Sequence, residues 1–279
     1  MVFQADIITS RQNPFVVFAA SLAEKKHRDK AQLFMAEGEK LTQEALKAHL
    51  PIEYILISES RKSRAEELIA PYADHPTFSN TRVLCLKDGV FEKISTEKSP
   101  QGVISLIKHL DFFKSCYIID VEFFQNSKER MLLLAGIRDP GNLGAVIRSA
   151  VALGVETILL TEDTVDLYNP KTIRSAMGSL FHIRTLRVGD TVSLIRALQH
   201  AGRRVFAAEL RDGAIPLSAV GISPFDVAVI GNEGHGIDEK ISRACDASVY
   251  LPISEKAESL NAAVAAAIFM WEQRFDPNE

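Results

Sequence analysis

The chain has 279 residues with 32 Lys and Arg against 36 Asp and Glu, and 47% of it is hydrophobic. That length predicts about two domains, and the formal net charge of −4 excludes a polycation that holds nucleic acid by bulk attraction. Three scattered cysteines (Cys85, Cys116, Cys245) with no CxxC pair argue against a disulfide framework or a cysteine zinc site, and for a reducing, cytoplasmic setting.

Ser10 is placed to cap a helical segment over residues 14–26, whose apolar positions Val17, Ala20, Leu22 and Ala23 are irregularly spaced. Around it, Arg11, Lys25, Lys26, Arg28 and Lys30 outnumber Glu24 and Asp29. Such a basic stretch suits phosphate contacts, and equally suits a solvated helix face. Residues 34–36, 54–57 and 83–86 read as strands, residues 40–48, 63–70 and 90–94 as helices, and 102–107 is a further apolar run. The alternation predicts a small α/β domain over residues 1–109. Residues 110–126 (LDFFKSCYIIDVEFFQN) are aromatic and aperiodic, a linker too apolar to be free and therefore expected to be packed. In residues 127–279, strands at 131–135, 157–160, 184–186, 205–208, 227–230 and 249–251 alternate with helices at 143–153, 171–177, 192–201, 238–244 and 259–274. Short apolar strands between helices predict a parallel sheet covered on both faces. No apolar run approaches the ~18 residues of a membrane span, and residues 1–20 lack the charged start and apolar centre of a signal peptide.

Ligand loops in such sheets follow the carboxyl ends of strands, which points to the loops after Ala135, Ile230 and Leu251. The first runs Gly136-Ile137-Arg138-Asp139-Pro140-Gly141-Asn142-Leu143-Gly144, turn chemistry with Asn142 as a good helix N-cap. A plain capped turn leaves unexplained Gly144 inside the helix, at a cost of ~1 kcal/mol relative to alanine, and Arg148 in an apolar row. The second, Gly231-Asn232-Glu233-Gly234-His235-Gly236, permits close backbone approach to a ligand. Its glycine order is not that of a dinucleotide site, which disfavours a nucleotide-dependent oxidoreductase, and GxxxxGK is absent from the chain, so a P-loop is excluded. No other histidine or cysteine stands at metal-ligand spacing from His235. The third runs from Pro252 past Glu255 to Ser259-Leu260-Asn261 and opens a helix of small residues suited to close packing.

These loops, in this order, resemble the SpoU/TrmH family of S-adenosylmethionine-dependent RNA ribose 2′-O-methyltransferases. Asn142, Gly144 and Arg148 match the family's Asn-x-Gly-x-x-x-Arg, Gly231 to Gly236 its Gly-Asn-Glu-Gly-x-Gly, and Pro252 with Ser259-Leu260-Asn261 its Pro…Ser-Leu-Asn. Asn169-Pro170-Lys171 and Met177-Gly178-Ser179-Leu180-Phe181 look like its middle segment. Ile8-Thr9-Ser10…Asn13-Pro14…Lys26…Arg28…Phe34…Glu37-Gly38 resembles the substrate-binding domain of its longer members, which is similar to RNA-binding ribosomal proteins. Glu255 departs from the pattern, since members usually carry glycine there.

The resemblance implies a ribosomal-protein-like α/β domain followed by a parallel-sheet α/β domain tied in a deep trefoil knot, in a homodimer formed through the knotted region. It implies S-adenosylmethionine held near Gly231, Leu251, Ile253 and Leu260, with no metal. Asn142, Arg148, Glu233, Ser259 and Asn261 are the implied catalytic set, and Arg11, Asn13, Lys25, Lys26 and Arg28 the implied RNA contacts. A guanidinium is a poor base, so Arg148 is expected to fix a phosphate and stabilise a developing alkoxide, Asn142 to orient Arg148 or the ribose, Glu233 to accept the proton, and Ser259 and Asn261 to complete the hydrogen-bond shell. The long N-terminal domain favours 23S ribosomal RNA. Transfer RNA is the alternative substrate, and a silent RNA-binding homologue, suggested by Glu255, is the alternative class.

Overall fold

The computed structural model describes residues 1–4, 6–110, 113–116 and 121–273. The chain divides into two compact units, Met1–Leu110 with Asp166–His182, and Asp111–Val165 with Ile183–Glu279.

In the first unit, β1 (Val2–Phe3), β2 (Leu33–Glu37), β3 (Ile52–Ser58), β4 (Arg82–Leu86) and β5 (Val103–Lys108) form a sheet in the order β1-β4-β3-β5-β2. β1, β4 and β3 are parallel, and β5 runs antiparallel between β3 and β2. Its helices are α1 (Pro14–Ser21), α2 (Lys25–Ala31), α3 (Glu39–Lys47), α4 (Lys62–Ile69) and α5 (Asp88–Ile94). The cap of α1 is Asn13, whose side chain accepts from Phe15 N at 2.8 Å, whereas Ser10 Oγ accepts from Gln12 N at 3.2 Å. Asn13 rather than Ser10 wins because Pro14 at the first helical position fixes where the helix starts. The helical segment is also broken: α1 stops at Ser21 and α2 begins at Lys25.

Arg28 explains the break and corrects its expected role in RNA binding. It is 2% exposed, and its guanidinium donates to Leu22 O at 2.8 Å and Ala23 O at 2.7 Å, carbonyls left without helical donors where α1 ends. Its other nitrogen donates to Asp166 Oδ2 at 2.5 Å. The segment Asp166–His182, read from sequence as part of the second domain, thus belongs with the first unit. The Tyr168 ring stacks between Phe34 (4.5 Å) and His109 (4.2 Å), and its hydroxyl accepts from Leu110 N at 2.8 Å. Burial there lowers the His109 pKa.

The second unit is an eight-stranded, wholly parallel sheet. Its strands are β6 (Phe113–Cys116), β7 (Met131–Leu134), β8 (Thr157–Thr161), β9 (Arg184–Val188), β10 (Val205–Ala208), β11 (Ile215–Pro216), β12 (Val227–Ile230) and β13 (Ala247–Tyr250). They lie in the order β11-β13-β10-β12-β7-β8-β9-β6. The helices are α6 (Val121–Asn126), α7 (Pro140–Ala152), α9 (Thr191–His200), α10 (Glu239–Ala244) and α11 (Ala262–Glu272), with α8 (Pro170–Ala176) belonging to the first unit. α6, α9 and α10 pack together, as do α7 and α11.

The stretch 110–126, expected as a packed linker, supplies the edge strand β6 and the helix α6, and Phe124 enters the core at 4% exposure. Residues 111, 112 and 117–120 of it lie outside the described residues. The uninterrupted apolar strands MLLL, VFAA and VAVI reflect burial on both faces. Cys85 and Cys245 are free thiols, and burial pushes Cys245 up to about 12. Among the described residues no helix is long and apolar enough to cross a membrane, and no three His, Cys, Asp or Glu side chains are grouped to hold a metal ion.

Candidate active site

The N-cap of α7 is Asp139, not Asn142: the Asp139 carboxylate accepts from Asn142 N at 2.9 Å. Pro140 at the first helical position sets that register, and it moves Asn142 into the first turn with its amide free to reach outward. Asn142 Nδ2 donates to the Glu233 carboxylate. Asn142 Oδ1 accepts from Asn261 Nδ2 at 3.0 Å. Asn261 in turn caps α11, its Oδ1 accepting from Ala263 N at 2.9 Å. One chain of side-chain hydrogen bonds, Glu233–Asn142–Asn261, therefore joins the three loops that the sequence singled out.

Glu233 is held at the tip of a tight glycine turn. Asn232 N donates to Gly236 O at 3.0 Å, Gly236 N returns a bond to Asn232 O at 2.9 Å, and Asn232 Oδ1 accepts from Gly234 N at 2.7 Å. A Cβ on Gly231 would lie 2.6 Å from the Gly236 carbonyl carbon, so the turn itself demands glycine there. Asn232 Nδ2 donates to Gly136 O at 2.7 Å and ties this turn to the loop after β7.

Arg148 is exposed and has no hydrogen-bond or ion-pair partner among the described residues. Asn142 is therefore bonded to Glu233 and Asn261 and not to Arg148. Ser259 is likewise exposed and stands outside the hydrogen-bond chain, and Glu255 is exposed. Gly231 and Leu251 follow β12 and β13, the strands on either side of β10, so they share one end of the sheet. Leu260 is half-buried, and Ile253 leaves 39% of its surface exposed. Leu210, absent from the residues expected at the cofactor site, follows β10 between them and is 79% exposed. The strand-end rule points to the loop after β10 as it does to those after β7, β12 and β13.

Residues 129–271 match the SpoU rRNA Methylase family. The chain belongs to the SpoU rRNA methylase family. Residues 13–105 match the MRM3-like substrate binding domain, so SpoU catalytic and RNA-directed modules are both present. This SpoU chain is 32% identical to the 23S rRNA (guanosine(2553)-2′-O)-methyltransferase RlmP of Bacillus subtilis, over 96% of the chain and 98% of that protein. It is 26% identical to the 23S rRNA (uridine(2479)-2′-O)-methyltransferase of Streptomyces viridochromogenes, over 95% of the chain and 90% of that protein. The crystal structure of the AdoMet-bound rRNA methyltransferase from Sinorhizobium meliloti superposes with a TM-score of 0.81 at 30% identity, covering 96% of this chain and 97% of that one.

The SpoU residues present suit an adenosyl cofactor. The loops after the neighbouring strands β10, β12 and β13 carry exposed apolar side chains, Leu210 and Ile253, and the backbone of Gly231. Apolar lining with a few backbone polar groups is the usual make-up of a small-molecule site. Next to Asn142 and Asn261, α7 and α11 frame an open apolar groove of about 610 Å³ lined by Ala145, Leu153, Val264, Ile268 and Trp271.

Proposed function

We propose that this chain transfers a methyl group from S-adenosylmethionine to a ribose 2′-hydroxyl of 23S ribosomal RNA. The observation that carries this reading is the Glu233–Asn142–Asn261 chain at the start of the helix that carries the unpaired Arg148, in a SpoU family chain. S-adenosylmethionine, when bound, supplies the electrophilic methyl for an in-line displacement that needs no metal. Gly231, Leu251, Ile253 and Leu260 would hold it, with Leu210 closing the apolar side. Holding nucleophile and methyl ~3–3.5 Å apart supplies much of such a rate enhancement. The Glu233 carboxylate, aimed by Asn142, is placed to take the hydroxyl proton. Arg148 offers a free guanidinium fork to the adjacent phosphate and to charge developing on the ribose oxygen. The acceptor hydroxyl exists only in RNA.

The first unit supplies RNA affinity through Arg11, Lys25 and Lys26, which are exposed, while Asn13 holds the start of α1. Replacing all three basic residues with alanine is expected to flatten the slope of log affinity against log salt by about two to three units. A slope that does not move removes this patch from RNA binding. The apolar groove of α7 and α11 is the face through which two copies pair, and the carboxyl-terminal segment threads the second unit as a trefoil knot in a cytoplasmic enzyme.

The test is calorimetric titration with S-adenosylmethionine and S-adenosylhomocysteine. Saturable binding, lost in Leu260→Trp, supports the enzyme and justifies mapping methylated riboses. No binding at millimolar cofactor with RNA still bound overturns it in favour of an RNA-binding homologue. Glu255 stands exposed, which favours the enzyme.

A further inference from the structure

A cavity of about 400 Å³ opens beside the glycine turn, at the carboxyl ends of β7 and β8. No step described above uses it. Ala135, Ile237 and Ile241 give it apolar surface, and Arg138, Asp163 and His235 are among its polar lining. A cavity that combines apolar surface with hydrogen-bonding side chains suits a nucleobase.

The walls are braced from within. Gly136 N donates to Thr161 Oγ1 at 2.8 Å, and Gly136 O accepts from Asn232. The Arg187 guanidinium donates to Thr164 O and Glu162 O at 2.8 Å and to Thr161 O at 3.2 Å, which fixes the loop carrying Asp163. Two further carboxylates of the lining are committed elsewhere: Asp238 caps α10 through Lys240 N at 2.9 Å, and Glu239 pairs with Arg243. That leaves Arg138, with no partner among the described residues, and Asp163, whose carboxylate takes one bond, from Thr161 Oγ1 at 2.5 Å. Arg138 and Asp163 form no ion pair with each other among the described residues, and both line the cavity. A lining that holds both a carboxylate and a guanidinium disfavours phosphate and suits a ligand edge with both donors and acceptors.

Resting on the methyltransferase reading, we propose that this cavity receives the base of the nucleotide whose ribose is methylated, and that Arg138 and Asp163 read it as guanine. Among the four bases, guanine alone sets a donor pair, N1–H and N2–H, next to an acceptor pair, O6 and N7. A carboxylate takes the first and an arginine fork the second. The glycine turn makes the connection to the chemistry: Asn232 and Gly236 wall the cavity, and Glu233 between them is bonded to Asn142.

The experiment follows mapping of the methylated nucleotide in 23S ribosomal RNA. Four transcripts differing at that nucleotide alone are methylated by the wild-type protein, Arg138→Ala and Asp163→Asn, with cofactor affinity measured by calorimetry and melting temperature as a folding control. The expected result is at least a tenfold preference in kcat/KM for guanosine, falling below threefold in each variant while S-adenosylmethionine affinity stays within twofold. A wild-type preference for another base, no preference, or a guanosine preference that survives both substitutions overturns the assignment. Cofactor binding without base discrimination defeats this inference alone, whereas absent cofactor binding and methyl transfer defeat the enzyme reading and this assignment with it.

Discussion

Arg148→Ala is expected to lower kcat by about 10²–10³-fold, the usual loss on removing one preorganised donor from developing negative charge, while S-adenosylmethionine affinity and melting temperature stay at wild-type values. The second half of that expectation follows from the side chain's surroundings. It is exposed and unpaired among the described residues, so its removal strands no buried partner and opens no cavity. A charged group kept on a helix with nothing to bind is free to meet substrate. Arg148→Lys separates two accounts of its work. Lysine keeps the charge but loses the planar fork, so bidentate capture of a phosphate predicts about a tenfold loss. Near-normal turnover in Arg148→Lys would sink the bidentate account and leave only a point charge. Single-turnover methylation of mapped ribosomal RNA, with calorimetry alongside, measures all of these.

Except for β1, β6 and β11, the strands of both units are legible as short apolar runs bounded by turn residues, and β7, β10 and β12 have the all-apolar character that burial on two faces requires. The three loops were legible because the strand-end rule says where to look. What escaped was decided by contacts between residues far apart in the chain. Arg28 and the lysines beside it are alike in sequence, and only the carbonyls exposed by the end of α1, with Asp166 138 positions away, make Arg28 an interior residue. The cap of α7 was misplaced by three residues since Asp139 and Asn142 are both good caps, and Pro140 decides between them through its fixed φ. β6 hid in an aromatic stretch because an edge strand of four residues is too short to show a period.

Arg28→Ala is expected to destabilise the first unit by about 3 kcal/mol or more, within the 3–5 kcal/mol range for breaking a buried ion pair. Three losses coincide. Asp166, 15% exposed, keeps a charge with no counter-ion. The carbonyls of Leu22 and Ala23 lose their donor at the break between α1 and α2. A long side chain at 2% exposure leaves a cavity behind. Lys25→Ala is the internal control, because Lys25 pairs with Asp29 at 61% and 48% exposure, and exposed pairs of this spacing contribute about 0.3–0.5 kcal/mol. The two residues lie three positions apart on one short helix, so propensity cannot account for a several-fold difference between them. Asp166→Asn should cost less than Arg28→Ala, since the amide oxygen still accepts a bond, and the double variant should be less than additive because the partners share one interaction. Salt offers a further discrimination: raising ionic strength should weaken the Lys25 contribution and leave that of Arg28 nearly unchanged. Urea unfolding of the full chain, with proteolysis at residues 166–182 as a local readout, measures each term. If Arg28→Ala stays within 0.5 kcal/mol of wild type, Arg28 is not what holds Asp166–His182 to the first unit, and the Tyr168 stack on Phe34 and His109 must carry that attachment instead.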